Sequence, residues 1–246
     1  APILQTRKGL WAAGDIEVSA LLRLLNNRGV AEGGPTPSFG YSISVGFLAR
    51  LPTALPEDPN VLLDIGTGDA QTDLEGSLIG SFSFGSAVGL TVGARYGQQG
   101  ATTVTKRVAA PEVVMPLAGT VQALTWSPGA YLGVEAIPSL HLTPELSITG
   151  HYRFFHKKRD AFSLIDSTPG LDPSVLEIES EVRAHQLGGG IRYDTTSRWL
   201  SGEDTRPIQL HLRLLRTTHG NGGQTPIVTQ VEVGMRLFKR LWGPRH

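Results

Sequence analysis

The sequence predicts an all-β protein, a single antiparallel transmembrane β-barrel of about 10–12 strands in which residues 1–246 form one domain. Three observations predict it. Apolar and polar residues alternate with a period of two along most of the chain. The alternating segments run about ten residues or more, the length of a tilted membrane-crossing strand, whereas soluble strands average about five or six. The polar positions are rich in Ser and Gly, which suit a crowded interior better than an open solvated face.

The elements follow in chain order. Residues 14–25 set Ile16, Val18, Ala20, Leu22 and Leu24 against Asp15, Glu17, Ser19 and Arg23. Residues 38–51 carry Phe39, Tyr41, Ile43, Val45, Phe47, Ala49 and Leu51 on one parity, with Ser, Gly and Arg50 on the other. Residues 71–84 oppose Leu74, Leu78, Phe82 and Phe84 to Asp73, Glu75, Ser77, Ser81 and Ser83. Residues 87–97 oppose Val88, Leu90, Val92, Ala94 and Tyr96 to Thr91, Gly93 and Arg95. Residues 130–142 alternate with Pro138 interrupting, and 145–156 set Leu146, Ile148, Tyr152 and Phe154 against Ser147, Thr149, His151 and Arg153. Residues 179–194 alternate clearly only near Ile191 and Tyr193, and Gly188-Gly189-Gly190 reads as a bulge that switches parity. Residues 207–216 and 229–241 close the series, the latter with Val231, Val233, Met235 and Leu237 opposite Gln230, Glu232, Gly234 and Arg236. Nine strands are visible, with no convincing long helix.

Alternation alone leaves the inside open. A soluble sandwich turns its apolar parity inward, whereas an outer-membrane barrel turns it to lipid and lines its lumen with the polar parity. Besides strand length and the Ser/Gly content, all four Trp (Trp11, Trp126, Trp199, Trp242) fall near expected strand ends, where interface belts place them. An aromatic content of 7% is thin for two full girdles.

Composition excludes several classes. The 22 basic and 22 acidic residues balance, so no global electrostatic pull toward nucleic acid or anionic lipid is expected. There is no Cys, hence no disulfide framework, thiol nucleophile or thiolate metal site. No apolar run reaches the roughly 18 residues of a membrane-spanning helix. No signal peptide opens the chain, so a leader, if one existed, is already gone.

Connection lengths set a topology. Short turns at Gly85-Ser86 and Thr143-Pro144-Glu145 read as periplasmic, and the long segments 52–70, 98–129 and 157–178 as external loops. The last strand then ends on the periplasmic side. Residues 14–25 become a descending strand, so the chain would begin outside, and nine is an odd count. At least one N-terminal strand is therefore expected to be missing, to lie irregularly in residues 1–12, or to come from another chain.

Leu51-Pro52-Thr53 closing one strand, Gly66-Thr67-Gly68-Asp69-Ala70-Gln71-Thr72-Asp73-Leu74 opening the next, and Gly14-Asp15-Ile16-Glu17 earlier carry a resemblance. Over roughly residues 9–242 the chain resembles the outer-membrane barrel family associated with meta-pathway phenol degradation, itself distantly similar to the long-chain fatty-acid transporters. The resemblance implies a channel or uptake protein of the bacterial outer membrane for small, often hydrophobic or aromatic, compounds. It also implies further strands before the Gly-Asp segment. The C-terminus fits loosely: Glu232-Val233-Gly234, Leu237, Phe238 and Trp242 suit an assembly signal, while Lys239 and the tail Gly243-Pro244-Arg245-His246 depart from it.

The candidate lumen-lining residues are Asp15, Glu17, Arg23, Arg50, Asp73, Glu75, Arg95, His151, Arg153, His211, Arg213, Glu232 and Arg236. Unpaired charges in a narrow lumen are costly, so a ladder of ion pairs is expected, either a selectivity lining or a plug; in a soluble fold the same residues would be a solvated face. Glu57, Asp58, Asp64, Asp69 and Asp73 could ligate calcium, but they lack EF-hand spacing and read by default as an acidic loop. Gly66-Thr67-Gly68-Asp69 is no phosphate cradle, since no Gly-Lys-Ser/Thr follows. His151, His156, His185 and His211 form no metal-binding pattern, so neither metal nor cofactor is expected. No Gly-x-Ser-x-Gly occurs and an enzyme is not expected. His156-Lys157-Lys158-Arg159 would leave the membrane on the outside, as a contact for lipopolysaccharide phosphates or simply as a solvated loop base.

Three functions stay open: a passive channel or uptake barrel, a plugged structural barrel anchoring a protein partner at an open edge, and a soluble all-β binding domain. The expected surroundings of the first two are outer-membrane lipid and lipopolysaccharide, with a small hydrophobic solute for the first.

Overall fold

The computed structural model describes residues 14–27, 38–54, 71–110, 112–113, 117–166, 168–202, 206–222, 225 and 227–238. Twelve strands form β1 (Ile16–Asn26), β2 (Phe39–Leu51), β3 (Asp73–Phe84), β4 (Val88–Gln99), β5 (Thr102–Arg107), β6 (Val121–Ser127), β7 (Tyr131–His141), β8 (Leu146–Lys157), β9 (Ala161–Leu164), β10 (Val182–Asp194), β11 (Ile208–Asn221) and β12 (Thr229–Leu237). A short helix, α1 (Thr196–Leu200), lies between β10 and β11. Nine strands make one antiparallel sheet in the order β1-β2-β3-β4-β7-β8-β10-β11-β12, and β5-β6-β9 make a second. These nine coincide closely with the nine read from alternation, and the fold is all-β and antiparallel. Among the described residues β1 and β12 are not paired with each other, so the sheet has two free edges and barrel closure is not part of its hydrogen bonding.

The expected up-and-down order holds. The connections 85–87 and 142–145 lie at the end of the sheet where β12 finishes, whereas those from β2 to β3, β4 to β7 and β8 to β10 lie at the other. Two segments expected to be loops contain strands instead. The register that pairs Gly97 with Tyr131 also pairs Thr102 with Trp126, and that of Tyr131 with Lys157 also pairs Ser127 with Ala161. The smaller sheet is thus a continuation of β4, β7 and β8 in unchanged register. Asp160 clamps the interruption: its carboxylate accepts from Gly129 N–H (2.8 Å), Trp126 Nε1 (3.2 Å) and Lys157 Nζ (2.5 Å).

One further reading is corrected. The parity switch is not at Gly188–Gly190. It lies at His185/Gln186, where Thr218 of β11 is the extra residue. The glycines serve close approach: a Cβ at Gly190 would lie 2.7 Å from Leu212 O, and one at Gly188 would strike Leu214 O. Trp126 lies one residue before the end of β6, in the smaller sheet, and stacks on Phe162 with ring centroids 5.9 Å apart. Trp199 is in α1, and Trp11 and Trp242 lie outside the described residues. Pro138 interrupts β7 on one side only, as a residue without an N–H should. It pairs with Leu90 of β4, while the ladder to β8 skips from Ala136 to Ser139.

The apolar parity is the exposed one. Ile16, Phe47, Leu78, Val88, Leu140, Ile148, Leu187, Leu212 and Val233, one from each strand of the large sheet, are exposed. Among the described residues the buried hydrophobics are Ala54, Val108, Leu124 and Leu215 alone. The polar parity lines a concave face. Arg95 of β4 and Val228, just before β12, border the same space although their strands are five steps apart, so the sheet is strongly curved.

Candidate functional site

Paired positions in an antiparallel ladder share a face, so the register decides which charges meet. One row crosses Glu17, Arg50, Asp73 and Gln99 on β1 to β4. Arg50 donates through Nη2 to Glu17 Oε1 (2.5 Å) and through Nη1 to Asp73 Oδ2 (2.8 Å), and Gln99 Nε2 donates to Asp73 Oδ1 (3.2 Å). Asp73 is only 1% exposed, so these donors replace the water it has lost. Below this row Glu75 Oε2 accepts from Tyr131 Oη (2.8 Å) and lies 3.7 Å from Arg95. Glu135 and Arg153 face each other on β7 and β8, Arg153 Nη2 standing 3.0 Å from Glu135 Oε2. Arg213 and Glu232 do the same on β11 and β12 and are ion-paired, with His211 Nε2 3.1 Å from Glu232 Oε1.

The sheet makes room for these long side chains by setting glycine opposite them. Tyr131 lies over Gly97, Arg95 over Gly133 and His211 over Gly234, each a directly paired position. A Cβ at any of the three glycines would run into the side chain opposite. Side chains therefore lie along the wall rather than across the space, and a concavity of about 510 Å³ remains, lined by Glu75, Ser77, Thr91, Arg95, Glu135 and Arg153. A second, of about 340 Å³, shares Arg95, Arg153 and Phe155 and extends to Gln186 and Thr217.

Of the thirteen residues singled out in the sequence, Glu17, Arg50, Asp73, Glu75, Arg95, Arg153, His211, Arg213 and Glu232 enter these paired groups. His151 shares the concave face and lies 2.9 Å from Thr149 Oγ1. Arg236 reaches Gln209 Oε1 at 3.5 Å, and Arg23 stands opposite Ser44 on the edge strand. Asp15 does not line the face. It holds the chain after β2, accepting from the N–H groups of Thr53 (3.1 Å) and Ala54 (2.9 Å). Glu135, Tyr131, Gln99 and the pair Asp194–Gln209 (2.8 Å) were missed. Parity identifies Glu135 at once, since Leu132, Val134 and Ala136 occupy the other face.

Glu57, Asp58, Asp64, Asp69 and the Gly66–Asp69 run lie outside the described residues, as do Lys239 and residues 243–246. Asp73 is already held by Arg50 and Gln99. Among the described residues no group of three His, Asp or Glu side chains could hold a metal ion. The basic run at 156–159 is divided: His156 meets Glu181 (3.2 Å), Lys157 meets Asp160, and Lys158 and Arg159 are exposed beyond the strand.

The chain matches no protein-family model, and no curated protein matches it. The fold and the face bearing the ion pairs define an all-β antiparallel protein whose polar side is concave and whose apolar side is open.

Proposed function

We propose that this chain is the wall of a bacterial outer-membrane β-barrel that acts, without enzymatic activity, as a passive channel or uptake route for small, often hydrophobic or aromatic, compounds. One observation carries the reading: apolar residues of all nine strands point away from the concave, ion-paired face. Monomeric soluble proteins rarely expose contiguous apolar patches beyond a few hundred Å². Lipid would remove this cost, since each Leu or Val side chain taken from water contributes about 1.5–3 kcal/mol.

Two more features support it. The nine strands are 9 to 14 residues long, against the roughly 9–11 needed to cross a bilayer. Aromatic side chains gather on the apolar face near the short-turn end, where Phe39 lies 5.4 Å from Phe84 and 6.3 Å from Phe82, with Tyr41 beside them. Such clusters mark membrane interfaces. The resemblance to the phenol-degradation barrels points to the same solute class, and lipopolysaccharide would surround the long-connection end.

The paired wall charges favour a second reading, a plugged barrel that anchors a partner without conducting. Protein refolded in detergent and run unboiled against boiled tests the barrel. A faster unboiled band rich in strand is expected, and solubility in plain buffer without a shift would overturn it. Planar-bilayer conductance then separates channel from plug.

A further inference from the structure

The apolar face carries almost no charge, and the exceptions are together. Every carboxylate within the nine strands, Glu17, Asp73, Glu75, Glu135, Asp194 and Glu232, is on the concave side by register. The ionisable His and Arg residues on the apolar side are His156, Arg183, His185, Arg216 and His219, all at the long-connection end of β8, β10 and β11. His156 pairs with Arg183, and His185 with both Phe154 and His219. Leu187, two residues along β10, faces Arg216.

The Thr218 bulge builds this cluster. Strict alternation from Arg216 would put Thr218 outside and His219 inside. The extra residue instead brings His219 and Asn221 to the side of Arg216, while Leu215 and Thr217, which precede it, stay on the concave side, where both are buried. Tyr152 Oη lies 3.0 Å from His185 Nδ1, and the His185 ring is 4.9 Å from Phe154 and 6.0 Å from His219. Arg183 and Arg216 are exposed and form no ion pair among the described residues. The nearby acid, Glu181, lies before the strand and meets His156.

The geometry points to a binding site here for the headgroup of a bisphosphorylated glycolipid of the lipid A type. This rests on the membrane-barrel reading. Cations on a lipid-facing strand cost about 2–4 kcal/mol at the bilayer centre but close to nothing at the headgroup level, which is where the strand ends place these five. A guanidinium binds phosphate through two parallel N–H···O bonds, and the histidines add donors at its edge. Arg183 and Arg216 are four residues apart in register and one strand across, roughly 14 Å between Cα atoms by strand geometry. Two fixed cations so spaced, with Leu187, Leu214 and Val231 below them for acyl chains, suit a headgroup with two phosphates better than a single phosphodiester.

The test uses the whole chain refolded in non-ionic detergent and titrated with fluorescent lipid A. The comparisons are dephosphorylated lipid A and phosphatidylglycerol. The variants are Arg183→Gln/Arg216→Gln and, as a cation removed at the other end of the sheet, Arg198→Gln. Wild type and Arg198→Gln should bind lipid A about 10-fold or more tightly than either comparison lipid, and the double variant should lose that margin. Unchanged affinity in a double variant that still shows the unboiled band shift overturns the site. Equal binding of phosphatidylglycerol overturns the two-phosphate headgroup. Wild type that neither shifts nor inserts into phosphatidylcholine vesicles overturns the barrel reading, and the site with it.

Discussion

Arg50 holds Asp73 across the β2–β3 ladder with Nη1 2.8 Å from Oδ2, and the same guanidinium holds Glu17 on β1. Asp73 has almost no water, whereas Glu17 is half exposed. The two carboxylates should therefore differ in worth. Asp73→Ala should destabilise by about 2 kcal/mol, since Arg50 keeps one partner and reaches solvent. Glu17→Gln should cost at most about 1 kcal/mol. Urea titration of the folded gel band measures both.

Face orientation is tested in the middle of the sheet. Val45 stands between Leu22 and Leu78, and Leu90 between Phe82 and Pro138. Arg at Val45 should cost about 2–4 kcal/mol if these residues meet lipid, and Arg at Leu90, nearer the short-turn end, less, while Ser44→Thr and Thr91→Ser should be mild. Equal tolerance on the two parities would sink the orientation.

The opposition of Gly97 to Tyr131 predicts coupling. Gly97→Ala drives a methyl into the ring and pulls Tyr131 Oη from Glu75, so a loss of about 1–2 kcal/mol is expected. In a Tyr131→Ala background that loss should largely vanish. A double-mutant cycle reads the interaction, and additive losses would mean that the ring yields freely.

Arg153 and Glu135 border the larger concavity, so their removal should act on ions rather than on the fold alone. In a conducting barrel Arg153→Gln should shift the reversal potential toward cation selectivity, and Glu135→Gln toward anions. No conductance in wild type, with Arg153→Gln/Glu135→Gln opening one, would establish the plug.

Asp160→Ala removes the acceptor shared by Gly129, Trp126 and Lys157. Hydrogen bonds to a charged group contribute about 1.5–3 kcal/mol each, so losing even one should raise opening of β5, β6 and β9 about 10-fold or more. Limited proteolysis should then cut between residues 100 and 130 first, leaving the large sheet intact. Uniform resistance would show that the clamp is redundant.

The large sheet was legible because a period of two survives wherever one face is apolar, as at Ile208, Leu210, Leu212 and Leu214. It failed at Thr218, where a single extra residue exchanges the faces and no Gly marks the spot. β5, β6 and β9 were missed because Thr102–Arg107 has no apolar parity to reveal it, and its pairing depends on register inherited from β4. The ion-paired row was legible as charge on the polar parity. Its partners were not, since Glu17 and Asp73 meet Arg50 only through strand offsets set by the connections between them.

Unbroken register from β4 into β5 and from β7 back into β6 makes the projecting part a ruler graduated in pairs of residues. Trimming two residues from each limb would shorten it and leave every side chain on its own side. Trimming one would turn the limb inside out. Length at that end is thus free to change in even steps while the wall beneath stays as it is, so the reach of the projection and the character of the wall can be altered independently.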